Sequence, residues 1–162
     1  MPGRHGRHAR PPARDSEAPQ DLSWLLDTDV ICQPAKRHGD ARVIAWLHNE
    51  RGHCYTSAIV IAQLAYWVRS KEGHQRRELQ DWLRRLVDAL GGRVLGFNVS
   101  VAHVWADQEH LLERQGKRMP LEDGYIAATA RRHGLTIVTG NDKDFRRPGL
   151  KVFNPFKELP LD

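Results

Sequence analysis

Cysteine and long apolar runs are scarce in this chain of 162 residues. Its two cysteines, Cys32 and Cys54, are too few for a disulfide framework or a thiolate zinc site, which predicts a reducing, cytoplasmic location. No apolar run is longer than Ala58–Ala62, whereas a membrane-spanning helix needs about 20 apolar residues. We therefore expect no membrane span. The length is enough for one domain with a hydrophobic core.

Several sequence signatures of catalysis are also missing. Neither GxGxxG nor GxxxxGK(S/T) occurs, which excludes nucleotide-binding loops of those kinds. The GxSxG and HExxH patterns are absent as well, so a serine-hydrolase elbow and a helical zinc site are unsupported. The net charge of +5, from 25 Lys and Arg against 20 Asp and Glu, permits a nucleic-acid partner without requiring one.

Composition divides the chain into a tail and a domain. Residues 1–21 carry four Arg and four Pro but almost no large apolar side chain, so they cannot offset the entropy lost on ordering. They also lack the apolar stretch of a secretory signal. We predict a disordered tail over residues 1–21 and a single domain over residues 22–162.

Strand and helix patterns alternate through the domain. Strands are predicted at SWLLD, HCYTS, RVLGFN, LTIVTG and LKVF. Helices are predicted over residues 40–49, after Ser57, over residues 79–90, from a cap at Ser100 to Leu112, and from Pro120 to Gly134. Because such alternation implies right-handed crossovers, the predicted fold is a three-layer α/β/α sandwich with a central, mainly parallel sheet of about five strands.

Acidic residues collect where the strands of this predicted sheet end. Asp27 and Asp29 follow the first strand, Asp142 and Asp144 follow the fourth, and Glu122-Asp123 begins a helix. Ligands of open parallel sheets bind at this edge, so the three groups are expected to converge. Converging carboxylates repel one another, and a hard cation such as Mg²⁺ or Mn²⁺ relieves the repulsion.

Each of these aspartates also has an ordinary structural explanation. An isolated Asp after a strand often caps a turn or a helix, which applies to Asp29, Asp142 and Asp144. Asp27 differs because it directly follows Trp24-Leu25-Leu26, where an unpaired carboxylate at the end of a buried strand is costly. We predict that Asp27 is a metal ligand.

Four segments together resemble the PIN-domain ribonucleases, specifically the toxins of the VapC and FitB type. They are LLDTDVI, PLEDGYIAATARRHGLTIVTGN, the DF that follows, and VFNPF, and the resemblance extends from Trp24 to Phe156. It implies a compact α/β/α sandwich whose acidic residues bind Mg²⁺ or Mn²⁺. The bound metal activates water to cleave RNA, polarises the phosphate and stabilises the developing charge.

The resemblance assigns the family's carboxylates residue by residue. The first falls on Asp27 and the third on Asp123, and both are present. The fourth follows a Thr-Arg pair after the fourth strand; here Thr139-Gly140-Asn141 stands there, with Asp142 or Asp144 as substitutes. Thr139 is expected to orient a metal-bound water through its hydroxyl, and Asn141 is expected to support the site.

The second carboxylate is the departure from the pattern. The family has a Glu in a segment like SAITLAEL, and the matching SAIVIAQL of this chain has Gln63. A Gln keeps the size and a carbonyl oxygen but removes a full charge from a site whose Mg²⁺ affinity depends on charge. Three interpretations remain open: a weakened or non-catalytic natural member, an introduced Gln that allows a toxic nuclease to be expressed, and a merely buried polar residue.

The resemblance also implies partners. They are an RNA substrate, a cognate antitoxin that fills the acidic groove, and a second copy of the chain in a homodimer. Basic residues near the rim are candidates for RNA contact, namely Lys117, Arg118, Arg146 and Arg147. Tyr66 and Trp67, close to Gln63, are candidates for a partner surface or for the core.

Two other functions are alternatives to the ribonuclease. A non-catalytic module that binds RNA or antitoxin would fold and dimerise without metal-dependent turnover. LLDTDVI also matches the DxDx(T/V) signature of haloacid-dehalogenase-like phosphotransferases, where Asp27 would be the nucleophile and Asp29 the general acid/base. That family leaves EDGYIAATA and NPF unexplained.

Overall fold

The computed structural model describes residues 22–159, so the prediction of a disordered tail over residues 1–21 falls outside the described residues. Five short strands form one sheet. They are β1 (Trp24–Leu26), β2 (Cys54–Ser57), β3 (Val94–Leu95), β4 (Thr136–Val138) and β5 (Val152–Phe153). Every pairing between neighbouring strands is parallel.

Helices connect the strands and flank the sheet. In chain order they are α1 (Thr28–Ile31), α2 (Ala41–Glu50), α3 (Ala58–Arg69), α4 (Gly73–Leu90), α5 (Val99–Arg114), α6 (Leu121–His133), α7 (Asp142–Phe145) and α8 (Pro155–Glu158). In the described part of the chain, none of them is both long and apolar enough to cross a membrane. Because helices flank a sheet of five parallel strands, the predicted α/β/α sandwich with a parallel five-stranded sheet is confirmed.

The strand order places a switch point at the centre of the sheet. Along the sheet the order is β3-β2-β1-β4-β5, so the chain builds outward from β1 to β3 and then returns to add β4 and β5 on the other side. Leu26 of β1 pairs with Val138 of β4. The residues that follow these two strands consequently emerge side by side, where an open parallel sheet forms its ligand crevice.

The core lies between the central strands and the helices. Leu25, Ile137 and Val138 of the sheet are inaccessible to solvent, as are Ile126 of α6 and Phe145 of α7. Strands this completely buried explain why SWLLD and LTIVTG read as continuous apolar segments rather than as alternating ones. The core therefore fixes the positions of the polar residues that directly follow the strands.

Several predicted elements differ from the observed ones. The third strand is limited to Val94–Leu95, and the short helices α1, α7 and α8 were not predicted. α4 begins at Gly73, six positions before the predicted start, because its first turns are polar and carry no apolar periodicity. α3 is buried on only one face, and its Tyr66 is 80% exposed.

The cap of α5 is the clearest error in the predicted boundaries. Asn98, and not Ser100, is the N-cap: its side chain accepts a hydrogen bond of 3.1 Å from the amide of Val101. The hydroxyl of Ser100 donates to the same Asn98 oxygen at 2.8 Å. Both residue types favour helix caps, so the local sequence does not distinguish two candidates that stand two positions apart.

We expect Asn98→Ala to lower the free energy of unfolding by about 1 kcal/mol, because the first turn of α5 loses its capping acceptor. Ser100→Ala, which removes only a hydroxyl within the first turn, should cost clearly less. Urea denaturation of both variants beside the parent measures the difference. Equal losses would contradict the assignment of the cap to Asn98.

Candidate functional site

Asp27 stands at the carboxyl end of the central strand β1, where its carboxylate is buried. It is the N-cap of α1, with one oxygen accepting from the amide of Thr28 at 2.8 Å. The other oxygen accepts the hydroxyl of Thr139 at 2.8 Å. These two bonds hold the Asp27 side chain in one orientation at the switch point between β1 and β4.

Asp29 joins the ends of β1 and β4. Its Oδ2 accepts from the amide of Gly140 at 2.9 Å, whereas its buried Oδ1 has no hydrogen-bond partner. Glycine is required at position 140 because a Cβ there would stand 2.7 Å from Asp29 Oδ2 and 2.9 Å from the ring of Phe156. The close approach of the Gly140 backbone to the Asp29 carboxylate therefore depends on the glycine in Thr139-Gly140-Asn141.

Helices α3 and α6 complete the site. Gln63 lies one and a half turns into α3, and Glu122 and Asp123 lie in the first turn of α6. Gln63 and Asp123, together with the end of β1, line a cavity of about 440 Å³, whereas Glu122 is exposed and is not among the lining residues. The residues that line it are Asp27, Thr28, Asp29, Cys32, Lys36, Gln63, Trp67, Asp123 and Asn141.

Burial and mutual repulsion make these carboxylates weak acids. Burial raises the pKa of Asp27, although its bonds to Thr139 and Thr28 act in the opposite direction. Burial and then the charge of Asp27 raise the pKa of Asp29 to about 6. The pKa of Asp123 is also raised to about 6, first by burial and then by the charges of neighbouring carboxylates, among which Asp27 acts most strongly.

This concentration of negative charge suits a hard divalent cation. Asp29 Oδ1 is buried without a partner, and Lys36 is the cation whose charge partly offsets that of Asp29. Within residues 22–159, no three His, Cys, Asp or Glu side chains stand close enough to form a ready-made metal site. Mg²⁺ commonly uses only one or two protein carboxylates and completes its coordination with water, so the carboxylates that line the cavity fit this ion.

The candidates for the fourth acidic position occupy different places. Asp144 Oδ2 accepts from the side-chain amide of Asn141 at 2.6 Å, and the charge of Asp144 raises the pKa of Asp123. Neither Asp144 nor Asp142 is among the residues that line the cavity. Asp144 is linked to the site through its bond to Asn141 and through its charge, which acts on Asp123, and its part in the site stays a prediction.

Asp142 faces a separate cluster of donors. It accepts from Asn154 at 2.9 Å and forms ion pairs with Arg146 at 3.0 Å and with Lys157 at 3.4 Å. The bonds from Asn154 and Arg146 lower the pKa of Asp142 to about 2. A carboxylate with these partners links α7 to α8, and releasing it toward a cation would cost those bonds.

Thr139 holds a carboxylate rather than pointing at open space. Its hydroxyl donates to Asp27, and its oxygen accepts from the amide of Asn141 at 3.0 Å. A hydroxyl oxygen can accept two hydrogen bonds, and the amide of Asn141 uses one of them, so the predicted contact of Thr139 with a metal-bound water stays a prediction. In this arrangement Thr139 positions Asp27 and the turn after β4.

The four basic candidates for RNA contact lie in two adjoining segments. Arg147 donates to the backbone oxygens of Lys117 at 2.8 Å and of Arg118 at 3.3 Å, which brings the segments together. Arg118 also pairs with Glu109 at 2.7 Å. Since Arg146 is bound to Asp142, three of the four side chains have partners within the protein.

Sequence reasoning missed Lys36 and Cys32, which line the cavity. Both follow α1 in a short segment whose sequence has no helical or strand periodicity. Glu122 was noted only as part of an acidic pair, and its contact with Gln63 depends on how α3 and α6 meet. Trp67 was predicted to be either a surface or a core residue; it lines the cavity and packs edge-on against Trp82, with 6.5 Å between the ring centroids.

Comparison with known proteins matches this arrangement to one family. The model of the PIN domain family matches residues 24–150. The chain belongs to the PIN domain family. Toxin FitB of Neisseria gonorrhoeae is 35% identical over 83% of this chain and 99% of its own length. VapC ribonuclease Y4jK of Sinorhizobium fredii is 35% identical over 82% of this chain and 97% of its own.

Solved structures give the same result for the fold of this PIN domain. The crystal structure of FitAcB from Neisseria gonorrhoeae superposes with a TM-score of 0.78 at 35% identity, covering 83% of this chain and 99% of that one. The structure of FitAB bound to an IR36 DNA fragment gives a TM-score of 0.77 at 33% identity, covering 82% and 95%. The likeness to phosphotransferases is limited to short motifs, whereas the PIN match spans the sheet and the site.

Proposed function

We propose that this PIN domain is the toxin of a toxin–antitoxin pair and a metal-dependent endoribonuclease. The observation that carries the proposal is the cavity at the switch point, where Asp27, Asp29 and Asp123 face one another with raised pKa values. The relatives named Toxin FitB and VapC ribonuclease Y4jK, which this chain matches over nearly the whole of their lengths, support the same function.

Asp27 and Asp123 would be the core ligands of Mg²⁺ or Mn²⁺, with Asp144 completing the acidic set. When bound, the ion lowers the pKa of the attacking water and stabilises charge on the phosphate. Thr139 keeps Asp27 aimed at the cavity, and Asn141 keeps Asp144 beside Asp123. Asp29 adds negative charge and, through Gly140, fixes the turn that carries Asn141.

The remaining residues of the cavity suit an RNA backbone and its bases. Lys36 is an exposed cation beside the carboxylates, where it can neutralise a phosphate that would otherwise be repelled. Trp67 presents part of an indole ring to the same space, and aromatic faces stack with unpaired bases. Lys117 is the basic residue of the neighbouring rim that remains a candidate for a second phosphate contact.

The partners of this chain follow from its relatives and its surface. The FitAcB and FitAB structures support a cognate antitoxin as partner. Exposed apolar side chains on α5 and α6 support the predicted homodimer, which light scattering would test; they are Val99, Leu111 and Leu121. Both cysteines are free thiols, which suits the predicted cytoplasmic location.

We expect the purified chain to cut a mixed pool of RNA when Mg²⁺ or Mn²⁺ is present and to leave it intact in EDTA, because without the cation the acidic cluster repels the phosphate and cannot stabilise the charge that develops on it. Gel electrophoresis of the products measures the cleavage. Cleavage that persists unchanged in EDTA would contradict the metal-dependent mechanism. A folded dimer that binds antitoxin but never cuts RNA would identify the non-catalytic binding module instead.

A further inference from the structure

Gln63 is held between two polar partners at the edge of the cavity. Its side-chain oxygen accepts the hydroxyl of Thr28, and its nitrogen donates to Oε2 of Glu122 at 2.7 Å. The reverse orientation of the amide would set its oxygen against the carboxylate of Glu122, so only one orientation satisfies both neighbours. Gln63 therefore joins the end of β1 to the first turn of α6.

A carboxylate at position 63 would not be compatible with this contact. It would face the carboxylate of Glu122 across the contact that is now a hydrogen bond of 2.7 Å, and two carboxylates at that distance repel each other. With Gln63 the contact becomes a hydrogen bond to a charged acceptor, which is stronger than one between neutral groups. Gln63 and Glu122 thus form a matched pair, one neutral and one charged.

The charge of Glu122 reaches the other carboxylates of the site. Glu122 directly precedes Asp123 in the first turn of α6. Its charge is one of those that raise the pKa of Asp123, together with the charges of Asp27 and Asp144. A negative side chain in the first turn of a helix is also favoured by the helix dipole. Glu122 consequently belongs electrostatically to the cluster that faces the cavity.

We propose that Glu122 supplies the negative charge that Gln63 lacks, so that the cation site of this chain is complete with one carboxylate moved from α3 to α6. Gln63 is then a positioning residue that holds Glu122 toward the site. The inference rests on the proposed metal-dependent function. In the interpretations given above, Gln63 weakens the cation site. Here the negative charge that is missing at position 63 is supplied by Glu122 instead.

Four proteins test the inference: the parent, Glu122→Gln, Gln63→Glu, and the double variant that carries both substitutions. The double variant exchanges the two side chains and keeps their hydrogen bond with the donor and acceptor reversed. Glu113→Gln is the matched control for loss of one exposed glutamate, because Glu113 lies at the end of α5 and is not among the carboxylates that raise the pKa of Asp123. Titration calorimetry with Mn²⁺ in the absence of RNA is the first measurement, and RNA cleavage is the second.

We expect Glu122→Gln to weaken Mn²⁺ binding by about 10-fold or more, the size of effect that supporting groups of metal sites typically have. Gln63→Glu alone should give no gain, because the new carboxylate repels that of Glu122 and breaks the hydrogen bond that holds Glu122 toward the site. The double variant should return to within about threefold of the parent, because the charge and the hydrogen bond are both restored. Glu113→Gln should bind as the parent does.

Two results would overturn the inference. One is Mn²⁺ affinity in Glu122→Gln equal to that of the parent, or no Mn²⁺ binding by any of the four proteins. The other is a large gain in Mn²⁺ affinity from Gln63→Glu alone, which would mean that the parent site is disabled at Gln63. If the binding follows the expected pattern while no protein cuts RNA, the charge exchange stands and the ribonuclease function fails.

Discussion

Asp123→Asn is expected to lower metal-dependent RNA cleavage by at least about 100-fold. Asp123 lies in the cavity opposite Asp27, and its carboxylate is one of two that we assign as core ligands. Groups that only support metal ligands are already worth 10- to 100-fold, so losing a direct ligand should cost at least the upper value. Single-turnover cleavage of one RNA substrate at saturating Mn²⁺ measures the loss.

The loss of cleavage must be separated from a loss of folding. Asp123 contributes repulsion rather than stability, because its pKa is raised by burial and by its carboxylate neighbours. The Asn variant should therefore unfold no earlier than the parent in EDTA. Asp107→Asn, an exposed position on α5, serves as the control and should cut normally. Parental cleavage by Asp123→Asn would remove Asp123 from the mechanism.

Much of the fold follows from patterns that burial imposes on the sequence. Leu25 and Leu26 of β1 and all three residues of β4 are buried, so these strands are mostly apolar and their ends are marked by the first polar residues. That is why Asp27 could be predicted as a candidate ligand from its position alone. Helices without an apolar face, such as α7 and the first turns of α4, leave no such mark.

Asp142 and Asp144 illustrate what local sequence cannot resolve. The two residues stand two positions apart in a short polar helix and look equally suited to the fourth acidic position. Their roles differ because Asn154 and Lys157, which bind Asp142, arrive from α8 through the packing of β5. Only the three-dimensional arrangement reveals these partners. Which of the two aspartates acts in the site stays a prediction that substitution must test.

Gln63 was found from the sequence for a different reason. The resemblance marked its position as one that normally holds a Glu, so its identity stood out without any structure. What the sequence could not supply was the partner, because Glu122 lies 59 positions further along the chain. A change at one motif position can be interpreted only when the residues that face it in space are known.

The crowded carboxylates also predict how stability depends on pH. In the folded protein the pKa of Asp29 is raised from 3.8 to about 6, mainly by burial and then by the charge of Asp27. Between these two values the folded state binds more protons than the unfolded state does. The free energy of unfolding should therefore fall as the pH rises through this range, and the full cost should be present above about pH 6.

Asp29→Asn should remove this cost. A rise in pKa from 3.8 to about 6 corresponds to about 3 kcal/mol at neutral pH, which is the upper bound of the gain. The new amide oxygen can keep the bond from Gly140, but the new NH2 group takes the place of the unpartnered buried oxygen, so we expect a gain of about 1–2 kcal/mol. Urea denaturation in EDTA near pH 7.5 measures it.

The same comparison near pH 4 should show the gain disappearing, because the folded Asp29 is then protonated and neutral like its Asn replacement. Adding Mn²⁺ near pH 7.5 should stabilise the parent more than Asp29→Asn, because the cation binds the charge that the substitution removes. Asp107→Asn should follow the parent at every pH and with Mn²⁺. A gain that is independent of pH would mean that packing, and not the charge of Asp29, limits the stability of the site.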